Sequence, residues 1–218
     1  MSLEEIRGYM NQVRRDFADR PLTEKSVESN PFKQYAVWFE EAVNSQILDP
    51  FAMCLSTVGL NNQPSSRIVY MRDILDDGFV FYTNYSSQKG KELLSTPKAA
   101  LNLHWGELDR QIRIEGDVMK VAEEVSDKYF AARPKKSQIG AWASAQSDVL
   151  TTREELEQHV LKYTARFKDI EVDRPKHWGG YVLKPTKIEF WQGRASRLHD
   201  RIVYTKEDAE WKLRRLSP

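Results

Sequence analysis

Phe51-Ala52-Met53-Cys54-Leu55-Ser56-Thr57-Val58 is followed by the turn Asn61-Asn62-Gln63-Pro64. Ser66-Arg67-Ile68-Val69-Tyr70-Met71-Arg72-Asp73 comes next, then the turn Asp76-Asp77-Gly78 and the run Phe79-Val80-Phe81-Tyr82-Thr83. Short β-prone runs separated by turn-forming clusters of this kind read as an antiparallel meander. Strand patterning resumes at Ala99–Trp105 and Gln111–Val121. There Ile112, Ile114 and Val118 alternate with Gln111, Arg113 and Glu115, as a half-buried strand requires. Trp178–Trp191, Arg197–Tyr204 and Trp211–Leu216 close the chain as strands. Helical spacing predicts helices over Leu3–Phe17, from Asn30-Pro31 onward, and over Ser87–Ser95, Glu123–Arg133, Gln138–Ser144 and Thr151–Phe167. Asn30 is a cap and Pro31 a first helical residue. Tyr35, Trp38, Phe39, Ala42 and Val43 give that helix an apolar face. Thr151 and Glu154 stand at capping-box spacing. The fold class expected is α+β, a closed or split barrel with flanking helices.

The composition narrows the function. A chain of 218 residues with 40% hydrophobic residues buries a core without staples. The net charge of +1 excludes a global basic field for nucleic acid, so any anion must be held by local clusters. The one cysteine, Cys54, excludes an internal disulfide and reads as a small buried hydrophobe. Met1-Ser2-Leu3-Glu4-Glu5 has no apolar signal core, and no apolar run reaches membrane length, so a cytoplasmic protein is expected. No glycine-rich nucleotide loop follows a strand, no G-x-S-x-G elbow occurs, and no Cys/His spacing suits a metal. His104, His159 and His177 show no ligand spacing.

Three constellations remain. Arg67 and Arg72 flank a predicted strand at odd separation and so point to opposite faces. Lys89 and Lys91 follow, with Lys89 in the first turn of a helix, where an anion is favoured. Spacing alone favours a solvated basic edge. Tyr129 and Arg133 lie one turn apart, Pro134 ends their helix, and Ser137 caps the next. A hydroxyl, a guanidinium and free N–H groups then converge as for a phosphate monoester, and a capped corner with a surface arginine explains them equally well. Arg197, His199 and Arg201 fall on one strand face beside Trp191, where mutual repulsion keeps the imidazole neutral.

These residues sit in longer stretches that resemble the pyridoxamine 5′-phosphate oxidase family. They are Ser137-Gln138-Ile139-Gly140-Ala141-Trp142, Gln146-Ser147, Trp178-Gly179-Gly180, Glu189-Phe190-Trp191-Gln192-Gly193 and Arg197-Leu198-His199-Asp200-Arg201. Arg110-Gln111 with Glu115-Gly116 also fits. The likeness runs from about Arg14 to Arg215-Leu216-Ser217-Pro218. It implies an FMN-binding split β-barrel working as a homodimer, with FMN at the subunit interface. Residues 1–29 would be an N-terminal helical arm or lid. Residues 30–218 would be the barrel domain, including the C-terminal dimerisation strands.

By position, the resemblance makes Arg67, Ile68, Arg72, Tyr82, Thr83, Gln88, Lys89 and Gln111 flavin contacts. Gln146, Ser147, Trp191 and Arg201 would complete that site, some from the partner subunit. Arg72, Tyr129, Arg133 and Ser137 would hold a substrate phosphate. Arg197 and His199 would hold the pyridine ring against the flavin, with His199 and Asp49 the candidate bases. Arg14, Arg15 and Phe17 match the family's lid. The implied reaction oxidises pyridoxamine or pyridoxine 5′-phosphate to pyridoxal 5′-phosphate, reduces oxygen to hydrogen peroxide and needs no metal. The chain departs from the family's common residues at three places: Arg72 for lysine, Gln88 for arginine and Phe17 for tyrosine. A flavin reductase, or a carrier storing FMN or pyridoxal phosphate, is the alternative, and turnover separates them.

Overall fold

The computed structural model of the chain describes every residue except Arg14 and Asp19. Among the described residues the helices are α1 (Leu3–Gln12), α2 (Pro31–Asn44), α3 (Gln88–Ser95), α4 (Glu123–Ala131), α5 (Lys135–Ala143) and α6 (Arg153–Arg166). The strands are β1 (Ala52–Val58), β2 (Pro64–Tyr70), β3 (Asp73–Leu75), β4 (Gly78–Asn84), β5 (Lys98–Trp105), β6 (Arg110–Lys120), β7 (Trp178–Gln192), β8 (Asp200–Glu207) and β9 (Glu210–Leu216). They pair in the order β2-β1-β5-β6-β7-β4-β3, with β8 on β7 and β9 on β8. The chain divides into two compact units.

The first unit comprises Met1–Pro50, His104–Arg113 and Lys187–Pro218. In α2 the Asn30 side chain accepts from the Phe32 and Lys33 amides, and Pro31 needs no amide partner. Tyr35, Trp38 and Ala42 are buried, and Trp38 meets the Phe190 ring edge-on at 5.1 Å. Val43 lies outside this stripe and is exposed, because one residue past Ala42 the helix has turned about 100°. Helix α1 ends at Gln12, not at Phe17. It buries no residue, so no packing extends it beyond its Ser2/Glu5 capping box.

The second unit comprises Phe51–Leu103 and Ile114–Thr186. Strand β1 alternates buried and half-buried residues, with Met53, Leu55 and Thr57 inward. Cys54 takes the other face and is half-buried, not buried as expected. Strand β4 is buried on nearly every residue. The expected strand Ser66–Asp73 divides in two. Residues Pro64–Tyr70 pair with β1, then the Met71 amide bonds the Phe51 carbonyl and the Arg72 amide bonds Val80, so the chain changes partner strand. Alternation restarts there, so Arg67 and Arg72 are not held to opposite faces and line one cavity.

A helical cluster packs Phe130, Ile139, Phe167, Val172 and Trp178. Helix α5 begins at Lys135, earlier than expected, because the Pro134 carbonyl already accepts from Ser137 and Gln138. Ser137 therefore lies in the first turn and is not the cap. Helix α6 is capped by Thr152, whose hydroxyl accepts from the Glu155 amide, one residue later than the Thr151/Glu154 spacing implies.

Candidate functional site

In the second unit a cavity of about 760 Å³ opens among β2, β4, α4 and β7. It gathers Arg67, Ile68, Tyr82, Thr83, Lys89 and Gln146 from the expected flavin set. It also gathers Arg72, Tyr129, Arg133 and Ser137, the expected phosphate set. Its size suits a ligand of cofactor dimensions.

One end is built around α3. Ser87 caps the helix by accepting from Gly90, and a Cβ on Gly90 would stand 2.1 Å from the Tyr85 carbonyl oxygen, so only glycine lets the helix start this close. Lys89 is thereby buried. Its ammonium donates to Thr83 Oγ1 (3.2 Å), Ser87 Oγ (3.2 Å) and Gln146 Oε1 (3.3 Å), all neutral oxygens. Burial, reinforced by the nearby Arg67, pulls its pKa down to about 8. A buried cation with neutral partners is unstable without an anion and well suited to receive one.

Arg67 lies beside it, held by the Leu55 carbonyl, the Thr57 and Ser65 hydroxyls and Glu92. Glu92 also accepts from Thr57, Ser65 and Gln88. Those hydrogen bonds and Arg67 outweigh burial and lower its pKa. Gln88 therefore faces Glu92 in this structure and does not line the cavity. Sequence reasoning missed Glu92; its four-residue spacing from Gln88 on one helix face was the available signal.

The other end is aromatic. Tyr82 stacks on Tyr129 at 3.7 Å and 5°, and Trp178 continues the stack. Burial pushes the Tyr82 phenol up to about 12, so it stays a neutral hydroxyl. Arg133 lies with its guanidinium carbon 4.5 Å from the Trp178 ring centroid, and its Nη1 is buried without a hydrogen-bond partner. Arg72 rests over Phe51 and Tyr70 at 5.1 and 4.8 Å. An orphaned buried guanidinium N–H fits a phosphate oxygen. Ser147 is exposed beside Gln146, in the left-handed region at φ 77°.

In the first unit a second cluster forms. His199 packs on Trp191 at 4.5 Å, and Phe17 sets its ring edge-on to both, at 5.1 Å from His199 and 5.8 Å from Trp191. The Arg194 amide donates to His199 Nδ1 at 3.1 Å, so the ring proton sits on Nε2. Burial and then the neighbouring Arg197 lower the His199 pKa, favouring the neutral ring. The expected strand Arg197–Tyr204 begins only at Asp200. Arg197 ends a 3₁₀ turn, Ala195–Arg197, in which Ser196 and Arg197 have φ 56° and 61°. The regular alternation of Arg197, His199 and Arg201 is therefore absent.

Arg201 is engaged within this unit, its guanidinium bonded twice to the buried Glu189 and once to the Ser217 carbonyl. Gln111 is half-buried on β6, and Asp49 is half-buried at φ 50°. Arg15 bonds the Gly106 carbonyl and Asp109. Arg14, the other lid arginine, lies outside the described residues. Among the described residues no group of His, Cys, Asp or Glu is placed to hold a metal, and no helix is long and apolar enough to cross a membrane.

Comparison with known proteins agrees over nearly the whole chain. Residues 39–167 match the family model described as pyridoxamine 5′-phosphate oxidase, and residues 178–218 match the pyridoxine 5′-phosphate oxidase C-terminal dimerisation region. The chain is 48% identical over 209 residues to the pyridoxine/pyridoxamine 5′-phosphate oxidase of Cyanothece sp., covering 96% of this chain and 98% of that one. It is 50% identical over 207 residues to that of Cupriavidus pinatubonensis, covering 94% and 97%. Among solved structures, PhzG from Burkholderia lata, in complex with tetrahydrophenazine-1-carboxylic acid, superposes with TM-score 0.86 at 32% identity, covering 92% of this chain and 99% of that one. A pyridoxamine 5′-phosphate oxidase-related, FMN-binding protein from Nostoc punctiforme superposes with TM-score 0.69 at 15% identity, covering 88% and 100%, and shares the split-barrel fold. The chain belongs to the pyridoxine/pyridoxamine 5′-phosphate oxidase family.

Proposed function

We propose that the protein is an FMN-dependent oxidase that converts pyridoxamine 5′-phosphate and pyridoxine 5′-phosphate to pyridoxal 5′-phosphate. The observation that carries this reading is the buried, unpartnered Nη1 of Arg133 beside the Tyr82, Tyr129 and Trp178 stack. A phosphate monoester on a flat ring meets both demands. Lys89, a second buried cation in the same cavity, suits the cofactor's phosphate.

The residues divide the work. Lys89, Arg67, Thr83 and Gln146 hold the cofactor phosphate side, and Ile68, Tyr82, Gln111, Ser147, Trp191 and Arg201 complete the FMN site. Arg133, Tyr129, Ser137 and Arg72 clamp the substrate phosphate, binding remote from the reacting carbon. Arg197 and His199 orient the pyridine ring, and orientation is the main demand of hydride transfer. FMN held by these residues would supply the hydride acceptor, with molecular oxygen as the terminal oxidant and hydrogen peroxide as the second product. Neutral His199 presents Nε2–H as a donor, and Asp49 is the other group offered as a proton carrier. On this reading residues 1–29 serve as a lid arm, with Arg14 and Phe17 assigned to substrate binding, and residues 30–218 serve as the barrel domain. The working unit is a homodimer, supported by the dimerisation-region match of residues 178–218, and on this reading it works in the cytoplasm with FMN at the subunit interface.

The test is direct. The purified protein, given FMN and pyridoxamine 5′-phosphate in air, should form aldehyde and peroxide together, and replacing Arg197 and His199 should abolish both. A yellow, FMN-loaded protein that makes neither product from either substrate would sink the assignment.

A further inference from the structure

The hairpin loop between β7 and β8 carries Arg197 and His199, and its shape is not one that its sequence adopts freely. Gln192 and Asp200 face each other at its base. Within it, Ser196 and Arg197 are consecutive residues in the left-handed region, at φ 56° and 61°. Neither is a glycine, and such backbone persists only where the surroundings hold it.

The hold is Arg194. Its guanidinium bonds Asp200 Oδ2 at 2.6 Å, closing the loop from one side to the other. Its own amide donates to His199 Nδ1 at 3.1 Å. One residue thus ties the loop's ends together and determines which ring nitrogen of His199 bears the proton. Asp200 is fixed in turn: Oδ2 also accepts from the Leu22 amide at 3.0 Å, and Oδ1 accepts from Arg215 at 2.6 Å. Arg215 is braced by two bonds to Glu24 and one to the Leu22 carbonyl. Asp200 is largely shielded, and with three donors converging on its carboxylate it stays ionised, its pKa lowered despite burial.

We propose that the Arg194–Asp200 ion pair is a positioning device for the reaction: it clasps the β7–β8 loop in its left-handed form and so holds His199 in the Nε2–H tautomer toward the substrate. This rests on the role given to His199 above. Neither residue need touch the substrate. The clasp acts through the loop backbone, so breaking it should let the amide of residue 194 drift from Nδ1 and release the tautomer.

The measurement is ¹⁵N NMR of histidine-labelled, FMN-supplemented full-length protein above the imidazole's titration range. The His199 signal is identified by its loss in His199→Asn. The unsubstituted protein should show one tautomer, protonated on Nε2. Arg194→Met leaves Asp200 paired with Arg215, and it should show both tautomers with kcat down about tenfold or more. Arg194→Lys, which keeps the charge, should retain the single tautomer and lose about threefold or less. Asp200→Asn makes the same comparison if Arg194→Met fails to fold. A single unchanged tautomer in the folded Met variant overturns the proposal, whatever happens to kcat. Equal turnover by the unsubstituted protein and His199→Asn would instead remove His199 from the reaction, and the tautomer comparison would still decide the clasp.

Discussion

Arg133 lies over Trp178, its guanidinium carbon 4.5 Å from the ring centroid, with Nη1 buried and unpartnered. The ring packs against the guanidinium, and the buried Nη1 is left for an anion. Burial, offset in part by Tyr129, lowers the arginine's pKa but leaves it a cation. Lysine at this position would keep the charge and lose the plane. Arg133→Lys should therefore raise KM for pyridoxamine 5′-phosphate by about 10- to 100-fold, the worth of one or two charge-assisted bonds. Turnover of unphosphorylated pyridoxamine should change little. A KM rise of equal size for both substrates would show that Arg133 does not read the phosphate.

Lys89 has a folded pKa near 8, below the ordinary 10.5, because burial disfavours its charge. In the ligand-free protein it is a cation below that value and increasingly neutral above it. Phosphate binding favours the charged form, so FMN affinity should fall as pH rises through about 8, while riboflavin, which has no phosphate, should bind with a flat profile. The sign for stability runs the other way: between about 8 and 10.5 the unfolded chain holds more protons at this lysine, so ligand-free stability gains from this group as pH rises across that window. Fluorescence titrations of both flavins across the range test this, and parallel profiles would dismiss Lys89 as the phosphate cation.

What the sequence revealed was mostly local. Asn30-Pro31, the turn at Asp76-Asp77-Gly78 and the alternation of Ile112, Ile114 and Val118 each act within a few residues, and each appears in the structure. The common cavity of Arg67 and Arg72 was not readable, because it depends on the chain leaving β1 for β4 at Met71 and Arg72. The strand expected from Arg197 begins only at Asp200, and Arg197 carries no glycine signal for its left-handed backbone. The start of α5 at Lys135 was hidden by two exposed lysines, although Pro134 marks it. Glu92 has only its spacing from Gln88 to mark it in the sequence, and only the folded chain brings Thr57 and Ser65 onto it.

Gln88 offers a gain-of-affinity test. Its side-chain amide donates to Glu92 Oε1 at 2.9 Å, one of several donors on a carboxylate that also holds Arg67. Gln88→Arg would add a cation next to Lys89, on an exposed position that tolerates the longer side chain. At such exposure a charge contributes about 0.2–1 kcal/mol, so FMN should bind about 1.4- to fivefold more tightly, with the gain fading at high salt. An FMN titration with no gain at low ionic strength would mean that residue 88 does not reach the phosphate.

Gly193 tests the arm. Its amide bonds the Asp109 carbonyl at 2.7 Å, and an added Cβ would stand 2.5 Å from Phe17 Cδ1 and 3.0 Å from Asp109 Cβ. Asp109 is pinned by the Arg15 side chain and the Ala18 amide, so Phe17 is the side that gives way. That ring packs edge-on to His199 and Trp191, and displacing it loosens the cover over both. Gly193→Ala should cost about 1–2 kcal/mol, the lower part of the overpacking range because Phe17 is only half-buried. With the arm serving as the lid proposed above, it should also raise KM more than it lowers kcat. The decisive measurement is a double-mutant cycle with Phe17→Ala. Once the ring is gone, the alanine methyl should cost less, leaving a coupling of at least about 0.5 kcal/mol. Additive costs would mean that the alanine acts through Asp109, and that the close approach of Phe17 to residue 193 does not hold the arm in place.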